Sequence, residues 1–133
     1  MTMWRRDEHS SPFGLWLRRQ SKIDSQLGFI TTDIDYIWYN YKTNEWMLIE
    51  EKRYNTFPSR PQLTCLNQIN HYLEASKLYR GCYIVVFEND SPDNGLINVG
   101  KLNTNDAFPE TSTKYKTMTK DTFLSFLRFE YSF

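Results

Sequence analysis

No charge of one sign dominates this chain: its 16 Lys and Arg balance its 16 Asp and Glu, for a formal net charge of +0. No overall field therefore draws it towards nucleic acid, and any phosphate contact must come from a local basic patch. Cysteine is scarce. The two present, Cys65 and Cys82, have no metal-ligand spacing, which leaves them as free thiols and buried small hydrophobes in an intracellular, cytoplasmic protein. Long apolar runs are absent as well. The longest, such as Tyr83 to Phe87, fall far short of the roughly 20 residues a membrane span needs. Nothing N-terminal resembles a cleavable signal segment, and neither an internal repeat nor a domain linker is visible. The expectation is a soluble protein that does not enter the membrane.

Aromatic side chains, by contrast, are abundant, with nine Tyr, nine Phe and four Trp in 133 residues. Large rings bury the area that a small core otherwise lacks. With 40% hydrophobic residues the chain is long enough for one packed domain, read as 1–133, and too short for two of ordinary size.

The order of elements is that of an α/β protein. Ser11 and Pro12 read as the N-cap and first position of a short helix through Phe13, Leu15, Trp16, Leu17 and Arg18, ending near Ser21. Gly28 to Tyr41, rich in Ile, Thr, Tyr and Trp, reads as a strand; Asn40 to Asn44 supplies a turn, and Glu45 to Tyr54 a second strand. These two are close enough to form a hairpin. Apolar residues on both faces of each predict a central place in a covered sheet.

Pro58 and Pro61 break the strand pattern. Leu63, Leu66, Ile69 and Leu73 then recur at helical spacing as far as about Leu78. Gly81 and the run from Cys82 to Phe87 read as a buried strand, ended by the turn-rich Glu88 to Gly95. A short strand from Leu96 to Lys101 follows. Leu102 to Met118, polar and punctuated by Pro109, reads as a loop. Thr119-Lys120-Asp121 opens a last amphipathic helix through Phe123, Leu124, Phe126, Leu127 and Phe129.

The chemistry lies on the hairpin. Strand residues alternate between faces, so Trp46, Leu48, Glu50 and Lys52 point one way and Met47, Ile49, Glu51 and Arg53 the other. Charged residues that continue an interior strand are costly unless paired or employed. Asp33 and Asp35 share a face of the preceding strand, so one of them can lie beside Glu50. Two carboxylates and an ammonium then converge, unless Glu50 and Lys52 form a solvated cross-strand pair on an edge.

That grouping suits phosphodiester hydrolysis. Mg²⁺ and Mn²⁺ prefer oxygen ligands, and Mg²⁺ commonly takes only one or two carboxylates, here Asp35 and Glu50, with water and substrate phosphate completing its shell. The Glu51 backbone carbonyl is a further candidate ligand. Bound metal lowers the pKa of a coordinated water, while Lys52 orients that water and stabilises developing negative charge.

At these residues the sequence resembles the PD-(D/E)xK nuclease superfamily, whose pattern is an acid at one strand and then a hydrophobic strand ending in acid-any-lysine. Here it stands as Asp35-Tyr36-Ile37-Trp38 and Met47-Leu48-Ile49-Glu50-Glu51-Lys52. The family often has proline before its first aspartate. Ile34 stands there in this chain, which leaves Asp33 as a rival for the metal; the hydrophobic Tyr36, Ile37 and Trp38 following Asp35 favour Asp35. Gln68-Ile69-Asn70-His71-Tyr72 looks like the QxxxY signature of the RecB-like and lambda-exonuclease-like branch.

At about 100° per residue, Gln68 and Tyr72 lie on one flank beside the Leu63, Leu66, Ile69 and Leu73 stripe, and are expected to border the core and face the site as catalytic residues. Plain packing of Tyr72, with Gln68 on the surface, is the alternative. The resemblance implies a restriction-endonuclease-like core, a central mixed β-sheet flanked by helices in α-β-β-β-α-β order. It also implies a Mg²⁺- or Mn²⁺-dependent nuclease acting on nucleic acid, DNA ahead of RNA. RecB-like enzymes use a histidine near the first helix as an extra ligand, which would give His9 that role; a lone exposed histidine is the plainer reading. Arg5, Arg6, Arg18, Arg19 and Lys22 form either a phosphate-binding patch or a solvated helix face. A core this small has little surface to grip a duplex, so a homodimer or larger complex is expected. The alternative function is a catalytically silent nuclease-like domain that binds nucleic acid or a partner protein.

Overall fold

The computed structural model describes residues 11–30, 32–105 and 108–133. His9, Arg5 and Arg6 lie outside them. Two compact units are formed, one ending at Thr32 and the other running from Asp33 to Phe133.

In the first unit, helix α1 (Pro12–Arg18) starts as the Ser-Pro pair predicts: the Ser11 hydroxyl accepts from the Gly14 N–H at 3.1 Å, and proline occupies the first turn, where a missing N–H costs nothing. The rings of Phe13 and Trp16 stack 6.3 Å apart on its surface. The helix stops at Arg18, short of Ser21. Two single 3₁₀ turns follow, Ser21–Ile23 and Ser25–Leu27. Asp24 caps the second by accepting from the Gln26 N–H at 3.0 Å, and Gly28 closes it in the left-handed region at φ 97°.

The second unit holds strands β1 (Tyr36–Tyr39), β2 (Trp46–Lys52), β3 (Tyr79–Phe87), β4 (Ile97–Lys101) and β5 (Tyr115–Met118). Its helices are α2 (Arg60–Leu73), the single turn α3 (Pro109–Ser112) and α4 (Lys120–Leu127). The strands make one mixed sheet in the order β1-β2-β3-β4-β5, in which only the β2–β3 pair is parallel. A parallel pair needs a long crossover, and α2 supplies it. Among the described residues two strands precede α2, not the three of the expected α-β-β-β-α-β order.

Alternation along the strands divides the core. Leu48, Ile84 and Val86 pack with Leu63 and Leu66 of α2 on one face, while Met47, Ile49, Val85 and Val99 pack with Phe123 and Phe126 of α4 on the other. Each such side chain contributes roughly 1.5–3 kcal/mol on burial. The sheet therefore lies between α2 and α4.

Two expectations need correction. Strand β1 is an edge and not a central strand, with all four of its residues exposed, because only β2 gains a second neighbour in β3. The stretch read as a loop contains α3 and β5; β5 is four residues long and mostly solvent-facing, so it takes strand form by pairing with β4 and not through an apolar run of its own. No helix among the described residues is long and apolar enough to cross a membrane.

Candidate active site

Strand β2 carries its apolar residues in the middle of the sheet and then presents Glu50, Glu51 and Lys52 at its C-terminal end. Glu50 is only 2% exposed. Its place follows from the two-residue strand period, which puts it on the α2 face with Leu48 and Trp46. The β1–β2 register runs from Tyr39 opposite Trp46 to Tyr36 opposite Ile49, and one step further brings Asp35 level with Glu50.

The Asp35 carboxylate is fixed there. Its Oδ2 accepts a hydrogen bond from the Glu51 backbone N–H at 2.8 Å, replacing a ladder bond where β1 gives out. A strand residue turns its N–H and C=O to the same edge, so the Glu51 carbonyl is directed to the Asp35 side as well. The Lys52 ammonium, half-buried, stands 3.8 Å from Glu50 Oε2.

Glu50 has a further partner that the sequence reading missed. Ser59 and Gln62 form a capping box at the start of α2: the Gln62 N–H donates to Ser59 Oγ at 3.4 Å, and the Ser59 N–H donates to Gln62 Oε1 at 3.3 Å. With Oε1 held by the cap, the amide nitrogen faces the other way and donates to Glu50 Oε2 at 3.0 Å. The signal was present as Ser59-Arg60-Pro61-Gln62. What it did not reveal was the second use of the glutamine.

Gln68 and Tyr72 are not brought to this cluster. Both are on the exposed side of α2, Tyr72 being 74% exposed with its ring against that of His71. The buried stripe is Leu63, Leu66 and Asn70. Gln68 falls about 200° around the helix from Leu66 at about 100° per residue, so the expected flank is turned to solvent.

The electrostatics follow from burial. The Glu50 carboxyl is pushed up to about 7, chiefly by desolvation and next by the negative charge of Asp35; Lys52 pulls it down in part, and Asp33 adds a smaller upward push. Glu50 Oε1 is buried without a hydrogen-bond partner among the described residues, a costly state for a carboxylate oxygen. Cys82, fully buried nearby, has its thiol raised to about 12 by burial and by the Glu50 charge, which makes it inert.

These facts test the fit of a cation. A buried oxygen without a donor, and a neighbouring acid that repels it, are what a hard divalent ion relieves. Among the described residues no group of three or more His, Cys, Asp or Glu side chains converges for a metal. The available set is two carboxylates and a backbone carbonyl, all oxygen. That set matches Mg²⁺ or Mn²⁺, which keep several positions for water and phosphate, and suits a four-coordinate zinc site poorly.

Comparison with models of protein families, with curated proteins and with solved structures finds no match.

Proposed function

We propose that this chain is a metal-dependent nuclease hydrolysing phosphodiester bonds, DNA ahead of RNA, with Asp35, Glu50 and Lys52 at its centre. The observation that carries the reading is Glu50, buried at the end of β2 with Oε1 unpaired among the described residues, beside the fixed carboxylate of Asp35 and within 3.8 Å of Lys52. A purely structural strand end has little use for that combination, because a buried carboxylate beside a second one costs stability. The antiparallel β1–β2 pair followed by α2 and the parallel β3 supports a restriction-endonuclease-like core, although the strand count before α2 differs from the family's.

Asp35, Glu50 and the Glu51 carbonyl would hold Mg²⁺ or Mn²⁺. When bound, such an ion supplies an acidified water and neutralises phosphate charge. The protein's own part is positional. Asp35 is aimed by the Glu51 N–H, and Glu50 by the Gln62 amide. Lys52, 3.8 Å from Glu50, would stabilise the charge that develops on the phosphate and orient the attacking water. The Leu48, Ile84 and Val86 layer behind Glu50 excludes bulk water from one side of the site and so strengthens each of these interactions.

A second reading, a silent nuclease-like domain that binds nucleic acid or a partner, is favoured by one observation: Gln68 and Tyr72, the helix part of the resemblance, face solvent. One experiment separates the two. The purified protein and its Glu50→Gln variant are incubated with single- and double-stranded DNA and RNA in Mn²⁺ and in EDTA. Cleavage by the wild type alone, in Mn²⁺ alone, is expected; no cleavage of any substrate by the wild type would leave the second reading.

A further inference from the structure

The sheet row that holds Glu50 runs buried beneath α2 to half-buried Tyr115, against which the exposed Phe57 packs. Glu50 pairs with Ile84, Ile84 with Gly100, and Gly100 with Tyr115. Paired residues on neighbouring strands share a face, so Glu50 and Tyr115 stand on one row, about 14 Å apart at three strand spacings of ~4.8 Å. Gly100 makes room on that row. A Cβ there would fall 2.8 Å from the Tyr115 ring, so the phenol lies across bare backbone.

Phe57 sets its ring edge-on to Tyr115, 5.3 Å between centres, yet remains 56% exposed. Phe108 is 56% exposed as well, with the Arg60 guanidinium 5.7 Å from its ring centre. Arg60 opens α2, and Gln62, two residues on, holds Glu50. Phe57, Arg60 and Phe108 thus gather around the start of the helix that reaches the site.

The backbone before Phe57 is committed to this arrangement. Tyr54 and Asn55 both adopt left-handed φ, 57° and 54°, which side chains other than glycine's rarely do. Their N–H groups are tied to the carbonyls of Asn89 and Phe87 at 3.3 and 3.0 Å. The chain is thereby swung out of β2 directly after Lys52, and Phe57 is set on Tyr115. Core packing alone does not account for it, since both phenylalanines leave more than half their surface in water. Strained backbone beside a site points to a use.

We propose that Phe57, Arg60 and Phe108 form a stacking platform for the unpaired bases of a single-stranded nucleic acid that runs into the Glu50 site. The inference rests on the nuclease reading of that site. An exposed ring offers a base its π-face without regard to sequence, and a guanidinium beside it answers the phosphate. In a duplex the base faces are covered by one another, so only unpaired nucleotides can use such rings. In a protein of net charge +0 the attraction has to be local.

The test uses the full chain carrying Glu50→Gln, in EDTA so that nothing is cut, and reads fluorescence anisotropy of a labelled oligothymidylate against an unlabelled duplex of equal length. Oligothymidylate is expected to bind more tightly than duplex. Phe57→Ala and Phe108→Ala should each weaken it about tenfold, as loss of one stacked base does, while Phe57→Trp restores binding. Thermal melting verifies that the variants remain folded, which their exposure favours. Unchanged oligothymidylate affinity in both folded alanine variants overturns the platform, as does tighter binding of the duplex. Failure of the nuclease reading is told apart by wild-type cleavage in Mn²⁺: binding that needs Phe57 and Phe108 without any cleavage keeps the platform and removes the nuclease.

Discussion

Gln62 joins the start of α2 to Glu50 with its two amide atoms in separate duties, Oε1 accepting from the Ser59 N–H at 3.3 Å and Nε2 donating to Glu50 Oε2 at 3.0 Å. The helix cap thereby fixes which way the amide faces, and the amide helps fix the Glu50 carboxylate, which also has Lys52 at 3.8 Å. Partners of metal ligands commonly carry ten- to a hundredfold effects on affinity.

Two variants therefore separate the cap from the carboxylate. Gln62→Met removes both duties and should weaken Mn²⁺ binding about tenfold in calorimetry. Ser59→Ala removes the cap alone, costing about 1 kcal/mol of stability with little change in Mn²⁺ affinity. Equal Mn²⁺ affinities for Gln62→Met and wild type, at equal folding, would make Gln62 a capping residue and nothing more.

Glu50 should make the metal-free protein less stable as pH rises. Its folded pKa, about 7, lies above the ordinary 4.5, so the folded state holds the proton more tightly than the unfolded chain does. Stability from this group is complete below about 4.5, falls as pH climbs to about 7, and is flat beyond. The Glu50→Gln variant escapes the loss. Its unfolding free energy from denaturant titration should match wild type at about pH 4 and exceed it at about pH 8, by up to roughly 3 kcal/mol, the equivalent of that shift. A variant less stable than wild type at high pH would contradict the desolvated carboxylate.

Mn²⁺ affinity should run the opposite way with pH. Binding must displace the Glu50 proton, so affinity is expected to rise between about pH 6 and 8 and to release protons measurable in buffers of different ionisation enthalpy. Asp35→Asn and Glu50→Gln should each abolish binding. Asp33→Asn should reduce it less, since Asp33 is the weaker of the two acidic influences on Glu50. The reverse ranking would transfer the ligand role to Asp33.

Lys52→Ala tests chemistry apart from binding. Loss of one electrostatic stabiliser typically costs a hundredfold or more in turnover, and about that loss is expected here with Mn²⁺ affinity nearly unchanged. Cleavage at near-normal rate would reduce Lys52 to a counter-ion for Glu50.

Gln68 and Tyr72, which the sequence resemblance placed at the site, stand on the exposed side of α2, away from the Glu50 cluster. Both side chains face solvent, so Gln68→Ala and Tyr72→Phe should change stability by no more than about 0.5 kcal/mol and leave turnover as it is. A selective loss of cleavage in Tyr72→Phe would mean that substrate covers this side of α2.

The sequence by itself determined whatever depends on spacing along one element. A two-residue period placed Glu50 and Lys52 together beside the Leu48 layer, because a strand leaves no other choice of face once its apolar residues are buried. The starts of α1 and α4 were legible for the same local reason: Ser11 and Thr119 cap helices through atoms a few residues away. Tertiary structure alone decided what depends on how elements dock. Gln62 and Gln68 lie on the same helix, and which of them meets Glu50 was settled by Leu63 and Leu66 seating against Ile84 and Val86, contacts whose partners are about twenty residues apart in the chain. The edge position of β1, the capture of Asp35 by the Glu51 N–H and the existence of β5 likewise follow from pairing between strands. Pairing energy belongs to two segments at once, so neither segment's own pattern announces it.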